Sequence, residues 1–151
     1  MIWILLVIYQ LKHFLADFPF QNKYMLGKFK GGNEWILPLL AHASVHGAMT
    51  YLIALMVKPS IAIWLALFDL VVHFVADRIK ASPELLGRFK SLSNKEYISC
   101  ELSLEQNGLS SVIPVDEVRK RIKSNTYFWW ALGADQTAHH LTHYFIIWCL
   151  V

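Results

Sequence analysis

Four stretches of this chain are long and apolar enough to cross a lipid bilayer, and each carries ionisable residues spaced four apart. A crossing takes about 20 residues at ~1.5 Å rise each. The stretches run from Met1 to about Phe18, from about Trp35 to Val57, from about Ile61 to Arg78 and from about Tyr127 to Val151. Pro19, Pro59 and Pro83 stand at or just beyond their edges, where proline ends a helix at little cost. The expected fold is all-α: a membrane-embedded, up-and-down four-helix bundle forming one domain over residues 1–151. Composition points the same way. The chain is 56% apolar and only 17% charged, whereas a soluble domain carries about 25% charge. That balance excludes a disordered chain, a collagen-like chain and a disulfide scaffold, and fits a soluble enzyme poorly. The two cysteines, Cys100 and Cys149, are too few and too far apart for a disulfide framework or a cysteine-type zinc site. The first apolar run has no basic residues ahead of it and no small-x-small cleavage site after it, so it reads as a retained span.

Lysine and arginine set the expected orientation. Lys23, Lys28 and Lys30 lie between spans one and two, and nine basic residues from Arg78 to Lys123 lie between spans three and four. The opposite side has only Lys58. Both basic loops are therefore expected in the cytoplasm, with both termini outside, in an inner (cytoplasmic) membrane. Trp35, Trp129 and Trp130 would mark the inner interface, and Trp3, Trp64 and Trp148 the outer one. The water-facing loop spans about Ala81–Asn125. Within it Ser82-Pro83-Glu84 reads as a helix start, Asn107-Gly108 as a turn, and Asp116–Lys123 as a short basic helix or a solvated linker. Membrane lipid is the expected partner, with a second copy or a docking protein as further candidates and no nucleic acid expected.

All seven histidines fall inside the four spans. They form His13-x-x-x-Asp17, His42-x-x-x-His46, Asp69-x-x-x-His73-x-x-x-Asp77 and Asp135-x-x-x-His139-x-x-x-His143. Residues four apart share a helix face, so each span presents a polar stripe that should turn inward, away from lipid. The stripes converge on the cytoplasmic half, with His143 deepest. Four carboxylates near lipid are costly unless compensated. One or two divalent cations with imidazole co-ligands would compensate them, and oxygen and nitrogen donors without thiolate suit zinc, manganese or iron.

His42, His46, His73, Asp77, Asp135 and His139 are the leading ligand candidates, followed by His13 and Asp17. His143 joins them as a ligand or, like Asp69, orients ligating imidazoles. A metal-free polar network and a cation or proton pathway use the same residues. Lys12 is expected to snorkel or to pair with a carboxylate. Lys80 reads as an interfacial anchor or a carboxylate partner. His140 lies about 100° from His139 and should pack elsewhere. Gln136 should make an interhelical hydrogen bond. Gln21 follows Asp17 by four residues, with Pro19 breaking the helix between them. Gly47 and Gly133 could allow close helix approach.

Together the segments His-Phe-Leu-Ala-Asp-Phe-Pro-Phe-Gln (13–21), His-Ala-Ser-Val-His-Gly (42–47), His-Phe-Val-Ala-Asp-Arg-Ile-Lys (73–80) and Asp-Gln-Thr-Ala-His (135–139) resemble the domain of unknown function 3307 family. The order and spacing match across all four spans; Pro19 stands where that family usually has an aliphatic residue, and segment 81–125 is poorly covered. The resemblance implies a small membrane protein of bacteria or their phages and no defined activity.

The leading functional expectation is a metal-dependent membrane hydrolase open to the cytoplasm, with Asp135 or Asp69 as general base for metal-activated water. No serine or cysteine nucleophile with a suitable neighbour is visible. A di-iron redox enzyme, a cation or proton transporter, and a non-catalytic factor that docks a partner through its basic loop are the alternatives.

Overall fold

The computed structural model describes residues 1–82, 85, 86, 89 and 124–151. The expected turn at Asn107-Gly108, the basic helix at 116–123, and Pro83 and Glu84 of the expected helix start lie outside these residues. Among the described residues every regular element is helical. Helix α1 spans Ile2–Asp17, α2 Ile36–Val57, α3 Ala62–Ala81 and α4 Thr126–Leu150. Two 3₁₀ turns, Met25–Phe29 and Pro59–Ile61, precede α2 and α3. The expected spans and observed helices agree to within three residues at every end.

Local chemistry sets these limits. Helix α1 stops at Asp17, two residues before Pro19. Pro59 begins the second 3₁₀ turn, a place that costs it no helical hydrogen bond. The Asn125 side chain accepts from Phe128 N–H at 3.2 Å and caps α4. Asn22 does the same for Met25 N–H at 3.0 Å, opening the first 3₁₀ turn.

Helix α1 packs on α2 and α4, and α3 packs on α2 and α4, so the four helices close a ring. Neighbours run antiparallel. Lys58, just past α2, donates to the Cys149 carbonyl near the end of α4 at 3.0 Å, which fixes those two ends together. The buried apolar core occupies that same end, from Leu5, Tyr9, Ala54, Ala62, Leu65, Ile146, Ile147 and Leu150.

The rest of the interior is largely polar, with Ala16, Leu39 and Ala43 also buried there. Lys12, His13, His42, His46, Thr50, Asp69, His73, Asp77, Asp135, His139 and His143 are all buried. The outer faces are apolar instead: Trp3 is 78% exposed, Met56 89% and Trp148 71%, with Val7, Leu11, Leu52, Val71 and Leu141 also open. Two helical stretches, Ile36–Val57 and Pro59–Ala81, are long and apolar enough to cross a membrane.

Gly47 lets α2 and α3 approach closely. A Cβ there would meet the Ala66 carbonyl oxygen at 3.0 Å and Leu70 Cβ at 3.1 Å. Gly133 has no such role among the described residues: none of them lies within 4 Å of its Cβ position, and it is exposed. The expectation of close approach at Gly133 is therefore wrong, because α4 turns that face away from its neighbours. Gly47→Val should lower the unfolding temperature in detergent by several degrees, whereas Gly133→Ala should leave it unchanged or raise it slightly, since alanine is better in a helix by about 0.5–1 kcal/mol.

Candidate metal centre

Antiparallel neighbours and four-residue steps bring the four stripes into register. One layer holds Lys12, Thr50, Asp69 and His143. The next holds His13, His46, His73 and His139. The third holds Asp17, His42, Asp77 and Asp135. Each layer takes one side chain from each helix.

The first layer is an ion pair closed by hydrogen bonds. Lys12 Nζ lies 2.5 Å from Asp69 Oδ2, and Thr50 Oγ1 donates to the same oxygen at 2.6 Å. Lys12 also reaches His143 Nε2 at 3.2 Å. An ammonium only donates, so that nitrogen accepts and is engaged. Lys12 is 1% exposed and does not snorkel. The acid nearest to it lies inward, and a pair with it satisfies both charges.

The second layer is made of imidazoles. His46 and His73 stack with ring centroids 3.8 Å apart, and His73 and His139 with centroids 4.3 Å apart. His13 is the hub: its ring lies within 5.3–6.2 Å of those of His46, His73, His139, His140 and His143. His140 thus packs against the cluster, not elsewhere. The offset on α4 is real, but His13 from α1 fills the angle between them.

The network also fixes proton positions. His73 Nδ1 lies 3.0 Å from the Asp69 carbonyl, which only accepts, so Nδ1 carries the hydrogen and Nε2 keeps its lone pair. Gln136 Nε2 donates to Asp135 Oδ2 at 3.1 Å, so Gln136 Oε1 accepts from His13 Nε2 at 3.0 Å. That is the expected interhelical bond of Gln136. In this layer His13 Nδ1, His46 Nδ1, His73 Nε2 and His139 Nδ1 are buried with no hydrogen bond among the described residues.

In the third layer His42 Nε2 lies 3.4 Å from Asp17 Oδ1 and 3.0 Å from Asp77 Oδ2, bridging two carboxylates. His46 Nε2 approaches Asp17 Oδ1 at 3.0 Å and His13 Nε2 approaches Asp17 Oδ2 at 3.3 Å. His139 Nε2 sits 3.5 Å from Asp77 Oδ1 and 3.5 Å from Asp135 Oδ1. Those two separations are long for a hydrogen bond. They match the roughly 3.4 Å between ligand atoms around a tetrahedral ion with bonds of ~2.1 Å.

Three groups bring ligand atoms close enough to share an ion: Asp77–Asp135–His139, His13–Asp17–His46 and His13–His73–His143. The third is the weakest, because Lys12 engages His143 Nε2. His42 belongs to none of the three, although it stands between the first two. All nine expected ligands lie in the one cluster.

Three lysines change the charge argument. Besides Lys12–Asp69, Lys28 Nζ lies 2.8 Å from Asp77 Oδ2 and Lys80 Nζ 2.5 Å from Asp135 Oδ2. Lys80 is therefore a carboxylate partner, because the last turn of α3 ends beside Asp135. Lys28 reads from sequence as an ordinary loop charge, yet it is buried. Its 3₁₀ turn lies flat on α2 because Gly27 leaves room for Pro38: a Cβ at Gly27 would meet Pro38 Cγ at 2.9 Å. With neutral imidazoles, four carboxylates and three ammoniums leave one negative charge. Neither Asp69 nor Asp135 is the free carboxylate expected of a general base. Asp69 is held through Oδ2 by Lys12 and Thr50 and lies beyond the histidine layer, and Asp135 is held through Oδ2 by Lys80 and Gln136; Oδ1 of each has no hydrogen bond among the described residues.

Fold and site define a protein that is all-helical over its described residues, with an apolar exterior and a buried histidine–aspartate core. The chain belongs to the family of proteins of unknown function DUF3307, whose model matches residues 5–150. The matched region includes 81–125, the segment that the motifs cover poorly. No curated protein and no solved structure matches the chain.

The Lys12–Asp69 pair should behave as a unit. Lys12→Met leaves a buried carboxylate unanswered and should destabilise the protein by about 3–5 kcal/mol. Lys12→Met combined with Asp69→Leu should recover most of that loss, as read by unfolding of the four variants of a double-mutant cycle.

Proposed function

We propose that this is a four-span integral membrane protein whose interior holds a divalent metal ion on Asp77, Asp135 and His139, near the cytoplasmic face. The apolar exterior and polar interior support the membrane placement. Outward-facing tryptophans support it too: Trp3, Trp64 and Trp148 at one end, Trp129 and Trp130 at the other. Lys28 and the last turn of α3, with Arg78 and Lys80, belong to the end that carries the acids, and the sequence that follows Ala81 is rich in lysine and arginine. The positive-inside tendency puts that end in the cytoplasm and both termini outside.

The observation that carries the metal reading is the pair of 3.5 Å separations from His139 Nε2 to Asp77 Oδ1 and Asp135 Oδ1. His13, Asp17 and His46 offer a place for a second ion, and His42 stands between the two groups, 3.4 Å from Asp17 Oδ1 and 3.0 Å from Asp77 Oδ2. Zinc, manganese and iron(II) all suit these donors.

The chemistry that such a centre supports best is hydrolysis. A bound metal lowers the pKa of its water to about 7 and supplies hydroxide. In this reading Asp135, with Oδ1 turned to the ion and Oδ2 to Lys80, is a ligand and not the general base. Lys28 and Lys80 hold the carboxylates in place through their other oxygens, and the histidine layer shields the centre from the apolar end. A transport role is disfavoured by the apolar plug of Leu5, Tyr9, Ala54, Leu65 and Ile147, which closes the interior beyond Lys12.

A second reading has its own observation. Lysines already answer three of the four acids, so the network could be complete without metal, as a structural core.

Metal analysis separates the two readings. Protein purified in detergent should carry about one zinc, manganese or iron per chain, removable by chelator, and Asp77→Asn with His139→Ala should lower affinity at least ~10-fold. Wild-type protein with no stoichiometric metal, and no gain on adding it, supports the metal-free network. For topology, with Cys100 and Cys149 changed to serine, Ser60→Cys should react with an impermeant thiol reagent added outside whole cells, and Ser93→Cys only after the membrane is opened.

A further inference from the structure

We propose that Lys28, Lys80 and the Asp77–Asp135–His139 centre together bind a phosphate-type oxyanion. The inference rests on the metal reading above and names the class of ligand that the centre takes.

Both carboxylates are shared in the same way. Asp77 turns Oδ1 toward His139 and Oδ2 to Lys28, at 3.5 and 2.8 Å. Asp135 turns Oδ1 toward His139 and Oδ2 to Lys80, at 3.5 and 2.5 Å. A metal on the His139 side therefore does not displace the lysines. Two ammoniums remain on the far oxygens, and both belong to the acidic end of the interior. Lys80 stands in the last turn of α3 with its side chain 37% exposed, so it reaches the mouth of the site. Arg78 adds a second cation to that turn; its guanidinium lies 3.7 Å from the Trp35 ring centre and its buried Nη1 has no hydrogen-bond partner among the described residues.

Charge then selects the ligand. The metal-free cluster carries one net negative charge when its imidazoles are neutral. One divalent ion turns that into one net positive charge, buried among apolar helices where an unanswered charge is costly. An anion on the metal's open position restores balance. Lysines are point-charge partners of phosphate, and a tetrahedral oxyanion has enough oxygens to reach a metal and two ammoniums at once. A phospholipid headgroup and a soluble phosphoester share this chemistry.

Linkage between metal and anion tests the site. Free Mn²⁺ is followed by electron paramagnetic resonance in a maltoside detergent, which carries no phosphate. Sub-millimolar inorganic phosphate should tighten Mn²⁺ binding by about 10-fold, within the usual range of coupling between sites. Lys28→Gln with Lys80→Gln should still bind Mn²⁺, whatever its affinity without phosphate, but the ratio of its Mn²⁺ affinities with and without phosphate should fall below about 2-fold, and Lys28→Arg with Lys80→Arg should keep most of the coupling.

A second arm replaces phosphate with phosphatidylglycerol in the micelle. Coupling seen there alone, and abolished by the double glutamine variant, supports the site and names a headgroup as its ligand. Coupling with inorganic phosphate alone supports the site and names a soluble phosphoester. Mn²⁺ binding that responds to neither, or a response that the double glutamine variant keeps, overturns the anion site and leaves the metal centre standing. Absence of Mn²⁺ binding in every arm overturns both.

Discussion

Asp69 is 0% exposed and Asp77 4%, inside a ring of helices whose outer faces carry leucine, valine, phenylalanine and tryptophan. Water cannot answer those charges, so the protein must. Most of the remaining structure follows from that demand. Lys12, Lys28 and Lys80 each approach a different acid, and the histidines and Thr50 fill the remaining hydrogen-bonding directions. A helix that slipped by one residue would rotate its polar stripe about 100° and leave a carboxylate facing apolar neighbours. The acids thereby hold the register of all four helices.

The same demand divides the interior along its length. At one end, Leu5, Ala54, Leu65, Ile147 and their neighbours pack without a charge among them. At the other, three polar layers succeed one another, from ion pair to imidazoles to carboxylates. The layers are unequal in openness. The Lys12–Asp69 pair is sealed on all sides, whereas Lys80 reaches the surface. The acids nearest the mouth are thus the ones that can exchange a partner for a ligand.

Much of this was legible in the residues. Apolar length and proline position marked the helices, and four-residue spacing marked the inward faces, because both are local properties of a helix. The nine ligand candidates converge because antiparallel packing of such stripes leaves few alternatives. The lysines were harder. Lys12 was readable as a charge in need of a partner, but spacing along α1 does not reveal Asp69 on α3. Lys28 carried no signal at all among loop lysines, except that Gly27 precedes it and a proline, Pro38, stands early in α2. Gly47 and Gly133 look alike in sequence and differ only in what faces them.

The residues alone determined that the helices are helices, which face of each is polar, and that six imidazoles and four carboxylates belong to one neighbourhood. These follow from periodicity and from the cost of charge among apolar side chains. Tertiary structure alone decided which cation answers which acid, which imidazole nitrogen keeps its lone pair, and which carboxylate retains an open oxygen. Those depend on atoms brought together from different helices at hydrogen-bond distance, and such contacts leave no pattern along a single chain.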